Sequence, residues 1–347
     1  MPVFLYSGSG KYRPFIKDGY RRETTSNDSG WADADGIDVG LINNMSDAAL
    51  ETTERQVLKL LDAAAKDLVI RLRLYSLPEF PRSDLGQRHL QRFHYLGVDD
   101  LLDAKIDGLI VTGAEPRASD LTHEPYWPGL IEVFRWAEEA TLSMISSCLA
   151  VHAAVLHMDG IGRYPLDTKC FGVFEFDKVL DHPIVTGVPS RLRTPHSRWN
   201  EVRRSDLLSC GYNVLSSSQE RGVDIFVKQR RSLLVFFQGH PEYEAWTLLG
   251  EYRRDIERFL RGERDKYPDI PLEYFDIQTM EEVRQLRERA LADRRVEVLA
   301  TFSIAAVGQT LTDPWRSTAV QVYRNWLLYL SAQRLSRSKR VSLAARP

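Results

Sequence analysis

In residues 142–155, Leu-Ser-Met-Ile-Ser-Ser-Cys-Leu-Ala-Val-His-Ala-Ala-Val, an apolar run bounded like a buried strand passes without a spacer into good helix formers. A chain that does this must turn from strand to helix within a residue or two, and Cys148 stands at the turn. Such a turn exposes the side chain at its tip and lays the N-terminus of the helix beneath it. The unpaired N–H groups and dipole of that terminus favour negative charge, and so favour the thiolate. Ser146, Ser147 and Ala150 supply the small side chains that a close backbone crossing requires. The competing reading is a buried structural thiol, because free Cys is among the most buried residue types.

The turn belongs to a series. Residues 36–42 are a short β-branched run, and Ser46 or Asp47 after it can cap a helix. That helix, over 48–66, sets Leu50, Val57, Leu58, Leu61 and Ala64 on one face. A second strand is read at 69–77 and a third at 107–112, ending at Gly113 and a loop of Ala114, Glu115, Pro116 and Arg117. A helix over 127–140 precedes the Cys148 strand. Strands alternating with helices predict an α/β fold with a doubly wound, mostly parallel sheet.

The second half changes character. Strands at 171–178, 212–217, 223–228 and 233–237 are separated by short turns and predict partly antiparallel pairing. Between them, residues 194–199 (Thr-Pro-His-Ser-Arg-Trp) read as a polar loop, with His196 and Arg198 either functional or simply solvated. Helices are expected over 245–261, 281–295 and 318–335, the middle one charged and solvated on most sides. Residues 1–35 are polar and turn-rich and read as an arm over the domain, which itself runs from 36 to 333. Residues 334–347 form a basic tail expected to be disordered.

A chain of 347 residues can bury a large core as one α/β domain or two. Its net charge of −2 gives no global field for nucleic acid or an anionic membrane. Three cysteines, Cys148, Cys170 and Cys210, make no disulfide framework and point to a reducing cytoplasm. No basic region followed by a long apolar core opens the chain, so no signal peptide is expected. No stretch reaches the roughly 18 apolar residues of a membrane helix.

Residues 233–242, Leu-Leu-Val-Phe-Phe-Gln-Gly-His-Pro-Glu, supply what a reactive thiol needs. The apolar strand ends at Gly239, which puts His240 at a carboxyl end, where ligands collect in α/β sheets. Glu242 follows across Pro241. A thiol attacking an acyl carbonyl needs a base, and the base needs a third group to fix its tautomer. Cys148, His240 and Glu242 are those three types; the alternative is that His240 caps a turn and Glu242 is solvated.

Both strand ends resemble those of the homoserine O-acyltransferase family of the homoserine O-succinyltransferase type, in Cys148-Leu149-Ala150-Val151-His152-Ala153-Ala154 and Gly239-His240-Pro241-Glu242-Tyr243. Further similar segments follow in order. They are 107–114 with Tyr126-Trp127 closing the acyl-donor loop, Pro195-His196-Ser197-Arg198, Trp315-Arg316-Ser317 and Asn325-Trp326-Leu327. The resemblance covers about residues 36–333. It implies a flavodoxin-like, class I glutamine amidotransferase-like fold with C-terminal helices. It also implies that Cys148 takes the acyl group of an acyl-CoA as a thioester and passes it to the homoserine hydroxyl, in a methionine-type biosynthesis. His240 would be the base and Glu242 its orienting partner, with the backbone N–H of Leu149 as an oxyanion donor. The family's amino-acid contacts fall on Lys169, Ser197 and Arg254, of which Arg254 suits an α-carboxylate bidentately. Succinyl-CoA or acetyl-CoA would be the co-substrate, with no bound cofactor and no metal. The partners would be small molecules, together with a second copy if the protein is a homodimer.

The chain departs from the family in three places. Met45-Ser46-Asp47-Ala48 lacks the family's usual lysine pair, and Leu149 replaces a Trp. Arg117 occupies the donor-selecting position, where the family has Gly for succinyl or Glu for acetyl. A guanidinium there can pair with the distal carboxylate of a succinyl group, which favours succinyl-CoA. Pairing with Glu115, or filling the pocket so that only acetyl fits, are the alternatives. Extra sequence at about 278–312 adds a helical segment. Serine as acceptor, a specialised pathway, a glutaminase-type amidotransferase and a non-catalytic binding protein all stay open. Against the glutaminase, Ser146 and Ala150 stand where such elbows usually carry Gly.

Overall fold

The computed structural model describes residues 3–15, 36–302 and 304–344. Two short strands come first, β1 (Val3–Tyr6) and β2 (Tyr12–Pro14). The expected alternation follows as β3 (Ile37–Ile42), α1 (Asp47–Ala65), β4 (Ile70–Tyr75), α2 (Asp84–Arg92), α3 (Val98–Leu102) and β5 (Gly108–Val111). It continues with α4 (Trp127–Ala140), β6 (Ser143–Ser147) and α5 (Leu149–Asp159). β5 and β6 are buried along their whole length, as strands covered by helices on both faces must be.

After α5 come β7 (Tyr164–Lys178), β8 (Arg191–Glu201), α6 (Arg204–Ser209), β9 (Asn213–Val214) and β10 (Ser216–Ser218). β11 (Gly222–Val223), β12 (Ile225–Gln229) and β13 (Leu233–Phe237) complete the strands. The last helices are α7 (Thr247–Leu260), α8 (Ile277–Ala292), α9 (Ile304–Thr310) and α10 (Arg316–Ala344).

The large sheet has the order β2-β1-β4-β3-β5-β6-β13-β12-β9, and a smaller one runs β11-β10-β7-β8. From β1 across to β13 the neighbours are parallel, while β12 and β9 close the sheet antiparallel. The doubly wound sheet and its partly antiparallel second half are therefore as the sequence predicts. β4 lies on one side of β3 and β5 on the other, so the winding reverses there and a crevice opens at the carboxyl ends. One hydrophobic cluster packs α1 and α10 on one face of the sheet, and a second packs α4 and α5 on the other. Gly108 is small because α10 presses on it: a Cβ there would stand 2.7 Å from Trp326 and Leu330.

Four expectations are corrected. The arm is partly sheet: β1 pairs with β4 in parallel and with β2 antiparallel, while residues 16–35 lie outside the described residues. Ser46 holds the N-cap position of α1 without a side-chain hydrogen bond, and Asp47 instead accepts from the Ser83 N–H at 2.7 Å. Residues 194–199 are not a loop but the middle of β8, where Pro195 is tolerated because β8 is an edge strand. The basic tail continues α10 as far as Ala344, since Leu, Ala, Arg and Lys are good helix formers; residues 345–347 lie outside the described residues.

Candidate active site

Four strand ends meet around one cavity of about 600 Å³: Met45 and Ser46 after β3, Gly113 to Pro116 after β5, Cys148 after β6 and His240 after β13. Cys148 adopts φ 52°, ψ −116°, a region that a side chain occupies only when its surroundings enforce it. Its N–H donates to the Phe237 carbonyl at 2.9 Å, fastening the elbow to β13, and α5 begins at the next residue. The β5 loop crosses the elbow at Gly113. A Cβ there would stand 3.0 Å from Cys148 Cβ and 3.1 Å from the Leu149 nitrogen, so the crossing needs glycine.

His240 is held from three sides. Its N–H donates to the Pro195 carbonyl at 2.8 Å, Nδ1 meets Glu242 Oε1 at 2.8 Å, and its ring stacks on Tyr243 at 4.2 Å. A carboxylate at Nδ1 puts the N–H on that nitrogen and leaves Nε2 for the thiol, with which the imidazole also interacts. Burial alone lowers the pKa of His240. Glu242 and Cys148 beside it more than offset burial, so the imidazole stands well above its ordinary value.

Beneath this strand end lies the segment misread as a loop. His196 is fully buried, its Nδ1 accepting from Arg198 Nε at 3.2 Å and its Nε2 lying 3.3 Å from Asp224. Burial pushes its pKa down to about 4, which leaves it neutral. Asp224 also accepts from Thr194 Oγ1 at 2.9 Å and from the Gly239 N–H at 3.3 Å. His196 and Arg198 are thus neither solvated nor free: they form the floor under His240.

Lys169, Ser197 and Arg254 all line the cavity. The structure adds two residues that sequence reasoning missed, Glu251 and Asp255. Glu251 accepts from Ser197 Oγ at 2.5 Å and from the Tyr243 hydroxyl at 2.6 Å, and Lys169 Nζ lies 3.7 Å away. Asp255 pairs with Arg254 at 3.2 Å and lies 3.6 Å from Lys169. Burial would lower the pKa of Arg254, but Asp255 and Glu251 together raise it. Their spacing carried the signal: residues four apart on α7 share the face that already held Arg254.

Arg117 is the exception. Its side chain is exposed and does not line the cavity, because its N–H and that of Ala118 are tied to Glu124 Oε1 at 2.5 and 2.6 Å. Arg258 instead reaches Glu115 at 3.6 Å across the cavity mouth. Where the family's lysines are missing, Arg82 holds the loop from behind, donating to the carbonyls of Met45 at 2.5 Å and Asn43 at 3.1 Å. Among the described residues no group of His, Cys, Asp and Glu is arranged to hold a metal ion, and no helix is long and apolar enough to cross a membrane.

A cysteine set this way on a doubly wound sheet, facing an imidazole that favours its charged form, marks α/β proteins that pass acyl groups through a thiol. Within that class the family follows from sequence. The homoserine O-succinyltransferase model matches residues 23–337, and the chain belongs to that family. A homoserine O-succinyltransferase of Rhodopseudomonas palustris is 45% identical over 297 residues, covering 86% of this chain and 89% of that one. Another, from Methylorubrum extorquens, is 44% identical over 309 residues, or 88% and 89% of the two chains. A glutamine amidotransferase of Thermotoga maritima is similar in structure over 85% of this chain and 98% of its own, with TM-score 0.47 and 11% identity.

Proposed function

We propose that the protein moves a succinyl group from succinyl-CoA to the side-chain hydroxyl of homoserine, through a thioester on Cys148. The observation that carries this reading is the two-signed cluster that α7 and Lys169 of β7 form beside the thiol. Arg254 and Lys169 offer cations, Glu251 and Asp255 offer anions, and all four line the cavity that holds Cys148 and His240. An α-amino acid carries one charge of each sign. Its carboxylate would fork onto Arg254 while its ammonium meets Glu251, leaving a side-chain hydroxyl to reach His240. Homoserine as that acid and succinyl as the group are supported by the relatives, which bear that name.

In the first half-reaction the Cys148 thiolate attacks the thioester carbonyl carbon, and negative charge grows on the oxygen beside the Leu149 N–H. The bond to coenzyme A breaks as the His240 imidazolium gives its proton to the departing sulfur. Acylation removes the thiolate charge that helped hold the ring protonated. The imidazole, oriented by Glu242, is then neutral and takes the proton of the homoserine hydroxyl. That oxygen attacks the Cys148 thioester, the ester leaves, and thiolate and imidazolium are restored. Free Cys148, Cys170 and Cys210 and a coenzyme A substrate suit the cytoplasm.

Intact-mass spectrometry after mixing with succinyl-CoA, acetyl-CoA or glutamine tests the reading. A succinyl adduct on the wild type, absent from Cys148→Ala and discharged by homoserine, is expected. An adduct from acetyl-CoA alone would overturn the donor, and one that forms on Cys148→Ala would overturn the nucleophile.

A further inference from the structure

We propose that His152 and Arg163 form the subsite for the distal carboxylate of the acyl group, an inference that rests on the succinyl donor proposed above. His152 lies four residues after Cys148 on α5, one turn on along the same face. Its ring lines the cavity yet is 4% exposed, and its Nδ1 has no hydrogen-bond partner among the described residues. A buried polar nitrogen left unpaired is costly, and the space this ring borders is the cavity that holds the thiol. Burial, with Arg198 and Arg163 nearby, pushes its pKa down to about 3, so the ring is neutral and has one N–H to donate.

Arg163 supplies the charge. It lines the same cavity, and its Nη2 donates to the carbonyls of Ala118 at 3.2 Å and Ser119 at 2.6 Å. Its Nε and Nη1 make no hydrogen bond among the described residues, which leaves part of the guanidinium fork for a ligand. Arg198, the other cation acting on His152, is committed to the fold: Nε to His196, Nη1 to the Asn200 carbonyl and Nη2 to the Arg221 carbonyl. The acidic side chains of the cavity gather elsewhere. Glu251 and Asp255 are on α7, Glu263 lies just beyond it, and Glu115 pairs with its Arg258. The wall at His152 is therefore cationic, and an anion is what it fits.

The reach agrees. Three C–C bonds separate the two carboxyl carbons of a succinyl group, about 4 Å when extended. One turn of helix rises about 5 Å. A succinyl group on Cys148 that lies along α5 brings its free carboxylate to the next turn, whereas an acetyl group stops at the elbow. Arg117, outside the cavity, leaves the role unfilled.

The test is the ratio of kcat/KM for succinyl-CoA over acetyl-CoA, read by coenzyme A release at saturating homoserine. For Arg163→Met the ratio should fall about ten- to a hundredfold, the worth of one hydrogen bond to a charged group, with Arg163→Lys intermediate. His152→Phe keeps the ring's bulk and should lower the ratio about three- to tenfold. If Arg163→Met loses its far-UV circular dichroism, His152→Phe, which frees no loop carbonyl, carries the test. A succinyl-preferring wild type whose ratio moves less than about twofold in these variants overturns the subsite. So does a parallel loss with both donors, which would assign Arg163 to bracing the 118–119 loop alone. A wild type that takes acetyl-CoA and not succinyl-CoA overturns the donor first and the subsite with it.

Discussion

A methyl group at position 113 would press directly on the elbow that carries Cys148. Its carbon would crowd Cys148 Cβ at 3.0 Å and the Leu149 nitrogen at 3.1 Å, and both belong to a turn already strained at φ 52°. Gly113→Ala should slow acylation about ten- to a hundredfold, because displacing a nucleophile by a fraction of an ångström is enough for that. Stability should fall by only about 1–3 kcal/mol. Burst-phase coenzyme A release and the urea midpoint measure the two, and a near-native burst would mean that the elbow yields freely. Glu242 acts through charge instead. With His240 raised above its unfolded value, the pair stabilises the fold fully below about pH 6.5 and loses that contribution as pH rises through the folded value. Glu242→Gln removes the largest of the influences that raise the His240 pKa, so the imidazolium is lost at lower pH. The alkaline limb of single-turnover acylation should move toward acid; an unmoved limb would show that Glu242 does not set the charge on His240.

Among the elements, the entrance to α10 locks the histidine loop. Trp315 is 2% exposed and its Nε1 donates to the Tyr243 carbonyl at 2.9 Å, while Tyr243 stacks on His240. Trp315→Phe keeps most of the bulk but leaves a buried carbonyl unpaired. It should lower stability by about 1–3 kcal/mol and reduce kcat with either donor alike. Thermal melts beside steady-state rates would check both, and a donor-selective loss would contradict it. Elements formed by apolar periodicity were legible in the sequence: β13 and α4 fall where their patterns put them. β8 was not, because its inward residues Thr194 and His196 are polar and are satisfied by Asp224, a partner thirty or so residues away that no local pattern reveals. β1 and β2 were hidden for another reason. They are short and flank a Ser-Gly turn, so turn composition masks the strands on either side. In the candidate site, Cys148, His240 and Glu242 were readable from strand ends. Glu251 was harder to read: its spacing sets it on the helix face of Arg254, but that this face borders the cavity is decided by packing.

At the scale of the whole molecule, the chemistry is divided between two cores. Cys148 stands between β6 and α5, which belong to the cluster with α4. The proposed acceptor residues Glu251, Arg254 and Asp255 instead sit on α7, whose adjoining face (Tyr252, Ile256 and Phe259) packs into a third cluster with Val283, Leu286 and Ala290 of α8 and with Val298, Leu299 and Phe302. The segment that looked like an insertion is therefore what α7 rests against. α8 is charged and solvated except along this stripe, so its hold on α7 depends on a few apolar side chains, of which Leu286 is fully buried. Leu286→Ala should lower stability by about 2–5 kcal/mol through the cavity it leaves. If α7 then shifts while α5 stays, Glu251, Arg254 and Asp255 move relative to Cys148. The KM for homoserine should rise several-fold, while the acylation burst with succinyl-CoA, which needs only the elbow and His240, stays near native. Measuring both on the same preparation separates the cores. A burst that falls in step with acceptor binding would show that the third cluster supports the nucleophile as well, and that the two halves of the reaction share one rigid body.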